Sequence, residues 1–259
     1  MRTLEERRIV KELHAQGKNN SEISRITGIS RRTVLDIVLN KFTKRIEKIG
    51  DSFDPSKFTE EQEKAYSYML GQYLGDGHIS LMKRNVYRLR IFSDCKYPNI
   101  IQEIKDKMSS ILPENTPGSN VYMNNGKESC DSITIYSKKI KDMFPQHGEK
   151  EKHSRLIKLE PWQETIVDKY PKDFLRGLIH SDGCRFIPKT TQDQNARYQF
   201  TNVSTDIIQL YCSTLEKLNI SYSISQKAIK GKMKHHSYNV FTQRKECVKI
   251  LDTFIGPKT

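Results

Sequence analysis

Two short stretches of the sequence end in an aspartate followed by a glycine, and they lie 106 residues apart. Residues 69–77 read MLGQYLGDG and residues 175–183 read LRGLIHSDG. Each stretch is mainly apolar and helix-forming, which places Asp76 and Asp182 at helix C-termini, where the partial negative charge of the helix disfavours a carboxylate. Two such carboxylates side by side also repel each other, and a divalent cation removes both penalties. The chemistry predicted for this pair is metal-assisted hydrolysis of a phosphodiester.

Small residues spaced four apart predict how the two acids meet. Gly71 and Gly75 share one side of the first helix, and Gly177 and Ser181 occupy the same positions in the second. Small residues at this spacing let two helix backbones approach closely. We therefore expect the helices to pack together with their aspartates adjacent. The alternative is that each Asp-Gly only stops a helix and starts a turn, but two copies in register in a basic chain favour a site.

The chain beyond residue 60 repeats itself at a nearly constant offset of 106 to 108 residues. Besides the aspartates, the matches are Phe92 with Phe200, Ile100 with Ile207, and Lys138 with Arg244. The pattern of apolar and polar residues in each copy predicts a helix, two strands, a second helix, two further strands and a closing helix. The predicted fold class is therefore α+β, with two pseudo-symmetric repeats behind a small helical domain. The predicted domains are 1–45, a linker at 46–60, repeat 1 at 61–150, an inter-repeat linker at 151–171, and repeat 2 at 172–259.

The predicted strands alternate apolar and polar residues, so that one face of each sheet would lie on the core and the other would be basic and amide-rich. Such a face suits phosphates and base edges, although it is equally typical of a solvated surface. The candidate DNA-contact residues of the two repeats are Arg88, Arg90, Arg197 and Gln199, together with the hairpin lysines Lys227, Lys232 and Lys234.

Residues 3–39 predict a helix-turn-helix. Ile23 and Ile26 are expected to face inward, Gly28 makes the turn, and Ser30 caps the last helix. That helix opens with Arg31, Arg32 and Thr33, the positions that would reach a DNA major groove. The alternative is a plain three-helix bundle with a basic surface.

Composition restricts the partners. The formal net charge is +13, with a pI near 9.4 and a mean hydropathy of -0.69, which favours a polyanion as partner. The N-terminus lacks the apolar segment of a signal peptide. The five cysteines are scattered and odd in number, which argues against a disulfide framework or a zinc ribbon. We expect a cytoplasmic protein without a membrane or small-molecule partner.

The two Asp-Gly stretches, 69–77 and 175–183, resemble the paired motifs of a single-chain LAGLIDADG homing endonuclease. The resemblance covers about residues 60 to 255. It implies an αββαββα fold in each repeat, saddle-shaped antiparallel sheets on a long duplex DNA site, and a protein that acts as a monomer. Gln72, Tyr73 and His180 depart from the apolar consensus of the motif.

The same resemblance implies a mechanism. Asp76 and Asp182 would be metal ligands that hold two or more Mg²⁺ ions for double-strand cleavage. Lys138 and Arg244 match a basic residue that assists catalysis after the fourth strand.

Two other functions use the same scaffold. One is a transcription regulator without cleavage, and the other is an RNA-splicing maturase. Both motif acids are present here, which favours the enzyme, and the helix-turn-helix pattern weighs against the maturase. The host element, whether an intron, an intein or a freestanding gene, stays open.

Overall fold

A computed structural model describes residues 3–39, 53–188, 195–227 and 236–259. The chain forms two compact units, one of residues 1–52 and the other of residues 53–259. None of the described helices is long and apolar enough to cross a membrane.

The N-terminal unit contains three helices, α1 (Leu4–Ala15), α2 (Asn20–Thr27) and α3 (Arg31–Val38). Capping boxes open α1 at Thr3 and α2 at Asn19, and Gly28 ends α2 in the left-handed conformation. A small apolar core holds the helices together; its buried members are Val10, Ile23, Ile29, Val34 and Ile37.

The prediction that both isoleucines of α2 face inward was wrong for Ile26. Ile23 is fully buried, whereas Ile26 is 56% exposed. The helix is only eight residues long, and Ile29, which follows the Gly28 turn, belongs to the core beside Ile23. A turn residue therefore takes the place that the helical spacing assigned to Ile26.

The larger unit contains the two predicted repeats. The first consists of α4 (Glu60–Asp76), β1 (Gly77–Leu81), β2 (Tyr87–Asp94), α5 (Pro98–Ile111), β3 (Gly118–Asn124), β4 (Lys127–Ser137) and α6 (Ile140–Met143). After α7 (Pro161–Lys169), the second consists of α8 (Pro171–Asp182), β5 (Gly183–Phe186), β6 (Arg197–Asn202), α9 (Thr205–Lys217), β7 (Ser223–Lys227), β8 (Ser237–Thr242) and α10 (Lys245–Asp252). The predicted α+β class and the order of elements in each repeat are confirmed.

Each repeat forms its own four-stranded antiparallel sheet. The strand orders are β1-β2-β4-β3 and β5-β6-β8-β7, so the two topologies are identical. The inner faces of both sheets lie on a shared apolar core, which also includes the helices α4 and α8. The first strand of each sheet begins at the residue after the aspartate that ends the motif helix. Each carboxyl therefore lies at the junction between a motif helix and the first strand of its sheet.

The strand register corrects one of the sequence matches between repeats. Gly77 pairs with Ile91 and Gly183 pairs with Phe200, so Phe200 is the counterpart of Ile91 rather than of Phe92. Ile91 and Phe200 are both fully buried, whereas Phe92 lies on the outer face of its sheet. A slip of one residue moves a strand residue to the opposite face, and side-chain similarity alone did not detect it.

The segment before α4 packs on the core of the larger unit. Phe53 contacts Trp162 and Phe58 contacts Tyr66 at ring-centroid distances of 5.2 and 5.7 Å. Trp162 also packs against Tyr66 at 5.1 Å. This aromatic cluster attaches α7, in the segment between the repeats, to the first motif helix.

Candidate active site

The helices α4 and α8 cross in backbone contact at their glycines. A Cβ atom on Gly71 would lie 2.5 Å from the carbonyl oxygen of Phe174, and one on Gly177 would lie 2.2 Å from that of Tyr68. One turn further along, a Cβ atom on Gly75 would overlap the Ser181 side chain. Only glycine permits the backbone contacts, which is why the small residues recur at this spacing.

This crossing places Asp76 and Asp182 together at the C-termini of the two helices. The position of a Cβ atom on Gly75 lies 3.2 Å from Oδ2 of Asp182. Burial, with the negative charge of Asp76 as the second cause, raises the pKa of the Asp182 carboxyl to about 6. Burial likewise raises the pKa of Asp76. Both carboxyls are half-buried and act electrostatically as a pair.

Asn202, the last residue of β6, orients one of these carboxyls. Its Nδ2 donates to Oδ2 of Asp182 at 2.7 Å, and its Oδ1 accepts from the backbone N–H of Ser204. The side chain is therefore held from both ends, and its hydrogen bond favours the ionised form of Asp182.

Lys152 brings a positive charge to the pair. Its Nζ donates to the carbonyl oxygens of Tyr73 and Gly75 at 2.5 Å each, at the C-terminus of α4. Burial lowers its pKa to about 8, while the charges of Asp182 and Asp76 oppose that shift. The ammonium group thus lies between helix carbonyls and carboxylates, where a cation is most stable.

Lys258 repeats the arrangement at the second helix. Its Nζ donates to the carbonyl oxygen of Ser181 at 3.0 Å. Burial lowers its pKa, and the charges of Asp76 and Asp182 act in the opposite direction. Lys152 and Lys258 are separated by 106 residues, the same offset as the two aspartates and as Gly75 and Ser181. The pseudo-symmetry therefore includes the lysines.

The sequence reasoning missed these two lysines. Lys152 lies in a segment taken as linker, and Lys258 lies three residues beyond the range of the resemblance. The signal that identifies them is the repeat offset itself, since Lys152 and Lys258 are related by the same step as the aspartates.

A cleft opens beside the Asp182 carboxyl, and both repeats and the segment between them contribute to its lining. Its volume is about 670 Å³, and its wall includes His78, Lys152, Arg155, Asp182 and Asn202. The charged groups at this wall are balanced, with Lys150, Lys152 and Arg155 against Glu149, Glu151 and Asp182.

Lys138 and Arg244, the predicted assisting residues, lie elsewhere. Both are exposed; Lys138 follows β4, and Arg244 is the N-cap of α10. The cations whose charges lower the pKa values of the two aspartates are Lys152 and Lys258. The pairing of Ile91 with Ile133 and of Phe200 with Val240 also aligns Lys138 with Lys245 rather than with Arg244.

The predicted DNA-contact residues occupy two sheets and one helix. Arg88 and Arg90 lie on the outer face of β2, and Arg197 and Gln199 lie on the outer face of β6. Lys227 is exposed at the end of β7, and Lys232 and Lys234 fall outside the described residues. In the separate N-terminal unit, Arg31 and Arg32 are exposed at the start of α3, and the hydroxyl of Thr33 contacts that of the N-cap Ser30 at 2.8 Å.

The oxygen atoms around the pair fit a hard cation. Within the described ranges, no group of three or more His, Cys, Asp and Glu side chains could hold a metal ion. The available donors are the two carboxyls and the helix-terminal carbonyls of Gly75 and Ser181, to which the lysine ammonium groups donate. An all-oxygen set completed by water or phosphate is the type that Mg²⁺ takes.

Comparisons with known proteins identify the fold. No family model matches the chain. The uncharacterized protein MJ0398 of Methanocaldococcus jannaschii is 23% identical over 258 residues, covering 93% of this chain and 83% of its own.

Solved structures of homing endonucleases share the fold. Mesophilic variants of I-DmoI superpose with a TM-score of 0.52 at 18% identity, over 76% of this chain and 97% of theirs. I-WcaI bound to its DNA recognition sequence gives a TM-score of 0.52 at 16% identity, over 83% and 87%. A further variant of I-DmoI, in complex with its target DNA in the presence of 2 mM Mg, gives 0.51 at 17% identity, over 76% and 98%. The larger unit therefore has the LAGLIDADG homing endonuclease fold.

Proposed function

We propose that this protein is a site-specific DNA endonuclease that hydrolyses phosphodiesters of a long duplex target with divalent metal. The observation that carries the proposal is the carboxyl pair of Asp76 and Asp182, packed together at two helix C-termini with the Asp182 pKa raised to about 6. A fold gains no stability from two ionised carboxyls in that place, so their presence needs a functional reason. A bound divalent cation is that reason.

Asp76 and Asp182 would hold Mg²⁺, together with the carbonyl oxygens of Gly75 and Ser181 once the lysines have shifted. The metal would supply an activated water and stabilisation of the leaving oxygen. Asn202 holds one oxygen of the Asp182 carboxylate by its hydrogen bond and so would limit the rotation of this metal ligand.

Lys152 and Lys258 would act on the phosphate. Each ammonium group donates to a carbonyl oxygen at the C-terminus of one motif helix. The negative charges of the two carboxyls act to raise the pKa of both lysines. A lysine with a pKa of about 8 exists in both protonation states near neutral pH, so Lys152 is suited to exchange a proton as well as to neutralise charge. Lys138 and Arg244 remain candidates from the resemblance alone.

Duplex DNA is the proposed substrate, taken up by the outer faces of the two sheets. I-WcaI, which shares the fold, was solved bound to its DNA recognition sequence. The N-terminal unit, with Arg31 and Arg32 exposed on α3, would add affinity or specificity as a helix-turn-helix. The protein would act as a monomer, because both halves of the site belong to one chain.

A transcription regulator without cleavage is the second candidate, and one observation favours it. The ammonium groups of Lys152 and Lys258 already bind the helix carbonyls, and their charges lower the pKa values of both carboxyls, so the site holds two cations of its own without a metal ion. In a regulator these lysines would be permanent structural cations.

Incubation with a randomised duplex library separates the two candidates. The full chain is mixed with the library in Mg²⁺ and, in parallel, in Ca²⁺, and both bound and cut molecules are sequenced. The endonuclease gives sequence-specific cuts in Mg²⁺ and binding without cuts in Ca²⁺. Sequence-specific binding with intact strands in both ions would assign the regulator, and no selection of any sequence would reject both.

A further inference from the structure

One position on the outer face differs sharply between the two sheets. Arg90 in β2 pairs with His78, and Gln199 in β6 pairs with Cys184. His78 and Cys184 are each the second residue after the motif aspartate. Arg90 and Gln199 are therefore structural counterparts, at equal distances along their sheets from the carboxyl pair.

Arg90 presents a fixed cationic donor. Its Nη2 donates to Nδ1 of His78 at 3.1 Å, and its guanidinium lies 5.5 Å from the ring centroid of Phe92 on the same strand. Ser80 also contacts Nδ1 of His78, at 3.2 Å. These contacts hold the guanidinium plane on the outer face, and because Nε is buried, Nη1 and the second N–H of Nη2 are the donors left for a ligand.

Gln199 presents the opposite chemistry. Its Nε2 donates to Oγ1 of Thr201 at 2.9 Å and to Oδ1 of Asn239 at 3.1 Å. Thr201 Oγ1 donates to the same Asn239 oxygen at 2.8 Å, and Asn239 is only 3% exposed. The amide nitrogen of Gln199 is thereby engaged by neighbours on the same outer face, which leaves the acceptor Oε1 as the group that can bind a ligand.

Donors and acceptors on a sheet face distinguish base pairs in a DNA major groove. Guanine offers two acceptors, O6 and N7, which match an arginine fork. Adenine N6 and cytosine N4 are donors, which match an amide or carboxylate oxygen. A fixed side chain discriminates better than a mobile one because its alternative orientation is already excluded.

We infer that Arg90 reads a guanine and Gln199 reads the exocyclic amine of an adenine or cytosine, at two positions equidistant from the centre of the target. The inference rests on the proposed binding of duplex DNA, and it does not require cleavage. The preferred target is therefore not palindromic at these two positions, although the scaffold is nearly twofold.

Binding selection in Ca²⁺ tests the inference on the full chain. We compare wild type with Arg90→Gln, Gln199→Arg and the double swap, and sequence the enriched duplexes. Arg90→Gln should lose a preference of roughly tenfold for guanine at one position, and Gln199→Arg should create one at the opposite position. The double swap should exchange the two half-sites.

Arg88→Gln is the matched control. It removes the same charge from the same face of the same strand, two residues away, and should weaken binding to all sequences while leaving the guanine preference assigned to Arg90 unchanged. If Arg90→Gln instead weakens binding to all sequences alike and lowers the slope of log affinity against log salt by about one, Arg90 contacts a phosphate and the inference is wrong. If Gln199→Arg leaves its position unchanged, the second half of the inference is wrong.

The outcome for the proposed function is read separately. Wild-type protein that selects no sequence at all rejects both proposals. Wild-type protein that selects a sequence but cuts nothing in Mg²⁺ rejects the endonuclease, while the base assignments stand or fall on the variants.

Discussion

The two repeats are nearly identical where they touch and differ where they face outward. At the helix crossing, Asp76 and Asp182 are paired, and Lys152 and Lys258 each bind a carbonyl at the end of their own motif helix. On the outer face, by contrast, Arg90 occupies the position of Gln199. A single site shared by both copies requires the same chemistry from each, whereas each sheet is free to recognise a different stretch of a ligand.

The helix interface itself carries a second asymmetry. On one side, Gln72 donates to the hydroxyl of Tyr68 at 2.8 Å, and that hydroxyl contacts Nδ1 of His180 at 3.0 Å. The repeat offset places Leu178, Phe174 and Leu74 at the corresponding positions on the other side, all fully buried. Two of the three departures from the apolar motif, Gln72 and His180, thus belong to one hydrogen-bonded network with Tyr68. Burial lowers the pKa of His180 to about 3, so its imidazole is neutral in this network, although the Glu103 carboxylate lies 3.6 Å from Nδ1.

The largest expected effect comes from removing either acid. Asp76→Asn and Asp182→Asn should each reduce Mg²⁺-dependent cleavage by at least about 10³-fold, because the amide keeps the shape but loses the charge that binds the cation. Affinity for the selected duplex in Ca²⁺ should change much less. Cleavage is measured on both strands of the preferred duplex.

Cleavage of the two DNA strands, measured separately, tests whether the two repeats share one site. A shared site loses both cuts in either variant. A variant that still nicks one strand at the wild-type rate would mean that each repeat carries an independent site.

The lysines come next in size. Lys152→Met should lower the cleavage rate by about 10²-fold and Lys258→Met by about 10-fold, since Lys152 is proposed to exchange a proton as well as to neutralise charge, whereas Lys258 is proposed only to neutralise charge. Single-turnover cleavage rates measure both effects.

Lys138→Met is the matched control for this experiment. Lys138 is exposed, and we expect its replacement to change the rate by less than about threefold. A large loss of cleavage rate in Lys138→Met with little loss in Lys152→Met would assign the assisting role to Lys138, as the resemblance implies. It would reject that role for Lys152 and Lys258.

The helix crossing predicts a stability effect of intermediate size. Gly177→Ala would place a Cβ atom 2.2 Å from the Tyr68 carbonyl oxygen, which forces two backbones apart. We expect a loss of about 3 kcal/mol or more and a fall in Tm of roughly 10 °C. Gly75→Ala meets the side chain of Ser181, which can rotate, and should cost less. Equal losses in the two variants, measured by thermal unfolding, would contradict this account of the crossing.

The carboxyl pair, the glycine contacts and the order of elements were predictable because each depends on residues close in sequence or repeated at a fixed step. The spacing of Gly71 and Gly177 predicts a contact between the two helices. Asp76 and Asp182 are separated by the same 106 residues, so the same contact brings them together. The strand face of Phe92 followed from the same alternation that places Arg88 and Arg90 outward, and the mismatch with Phe200 arose because the two repeats were aligned by side-chain type rather than by strand face.

The lysines were missed for a related reason. Lys152 and Lys258 lie in irregular segments, where neither helical nor strand periodicity marks a residue, and only the folded chain brings them to the carbonyls of Gly75 and Ser181. Ile26 shows the opposite error, since its helical spacing was right but Ile29 from the turn belongs to the core in its place. Local periodicity is reliable within an element and says little about the loops that complete a site.

The smallest predicted effect concerns the free energy of unfolding without metal. The folded-state pKa of Asp182, about 6, lies above the reference value of 3.8. Its stabilising contribution is therefore present at low pH and is lost as pH rises through about 6, so the ionised carboxylate opposes folding at pH 7.5. In metal-free buffer at that pH, Asp182→Asn should stabilise the protein by on the order of 2 kcal/mol, or roughly 4–8 °C in Tm.

Three comparisons make this result specific to the carboxyl pair. At pH 5 the advantage of Asp182→Asn should shrink, because the wild-type carboxyl is then largely protonated. Added Mg²⁺ should raise the Tm of wild type more than that of the variant, because a cation offsets the repulsion only where both carboxylates are present. Asp252→Asn should instead lower the Tm, because Arg185 holds the pKa of that carboxyl below its usual value. If Asp182→Asn destabilises the metal-free protein as Asp252→Asn does, Lys152 and Lys258 already satisfy the pair, and the permanent cations of the regulator explain the site better than a divalent ion.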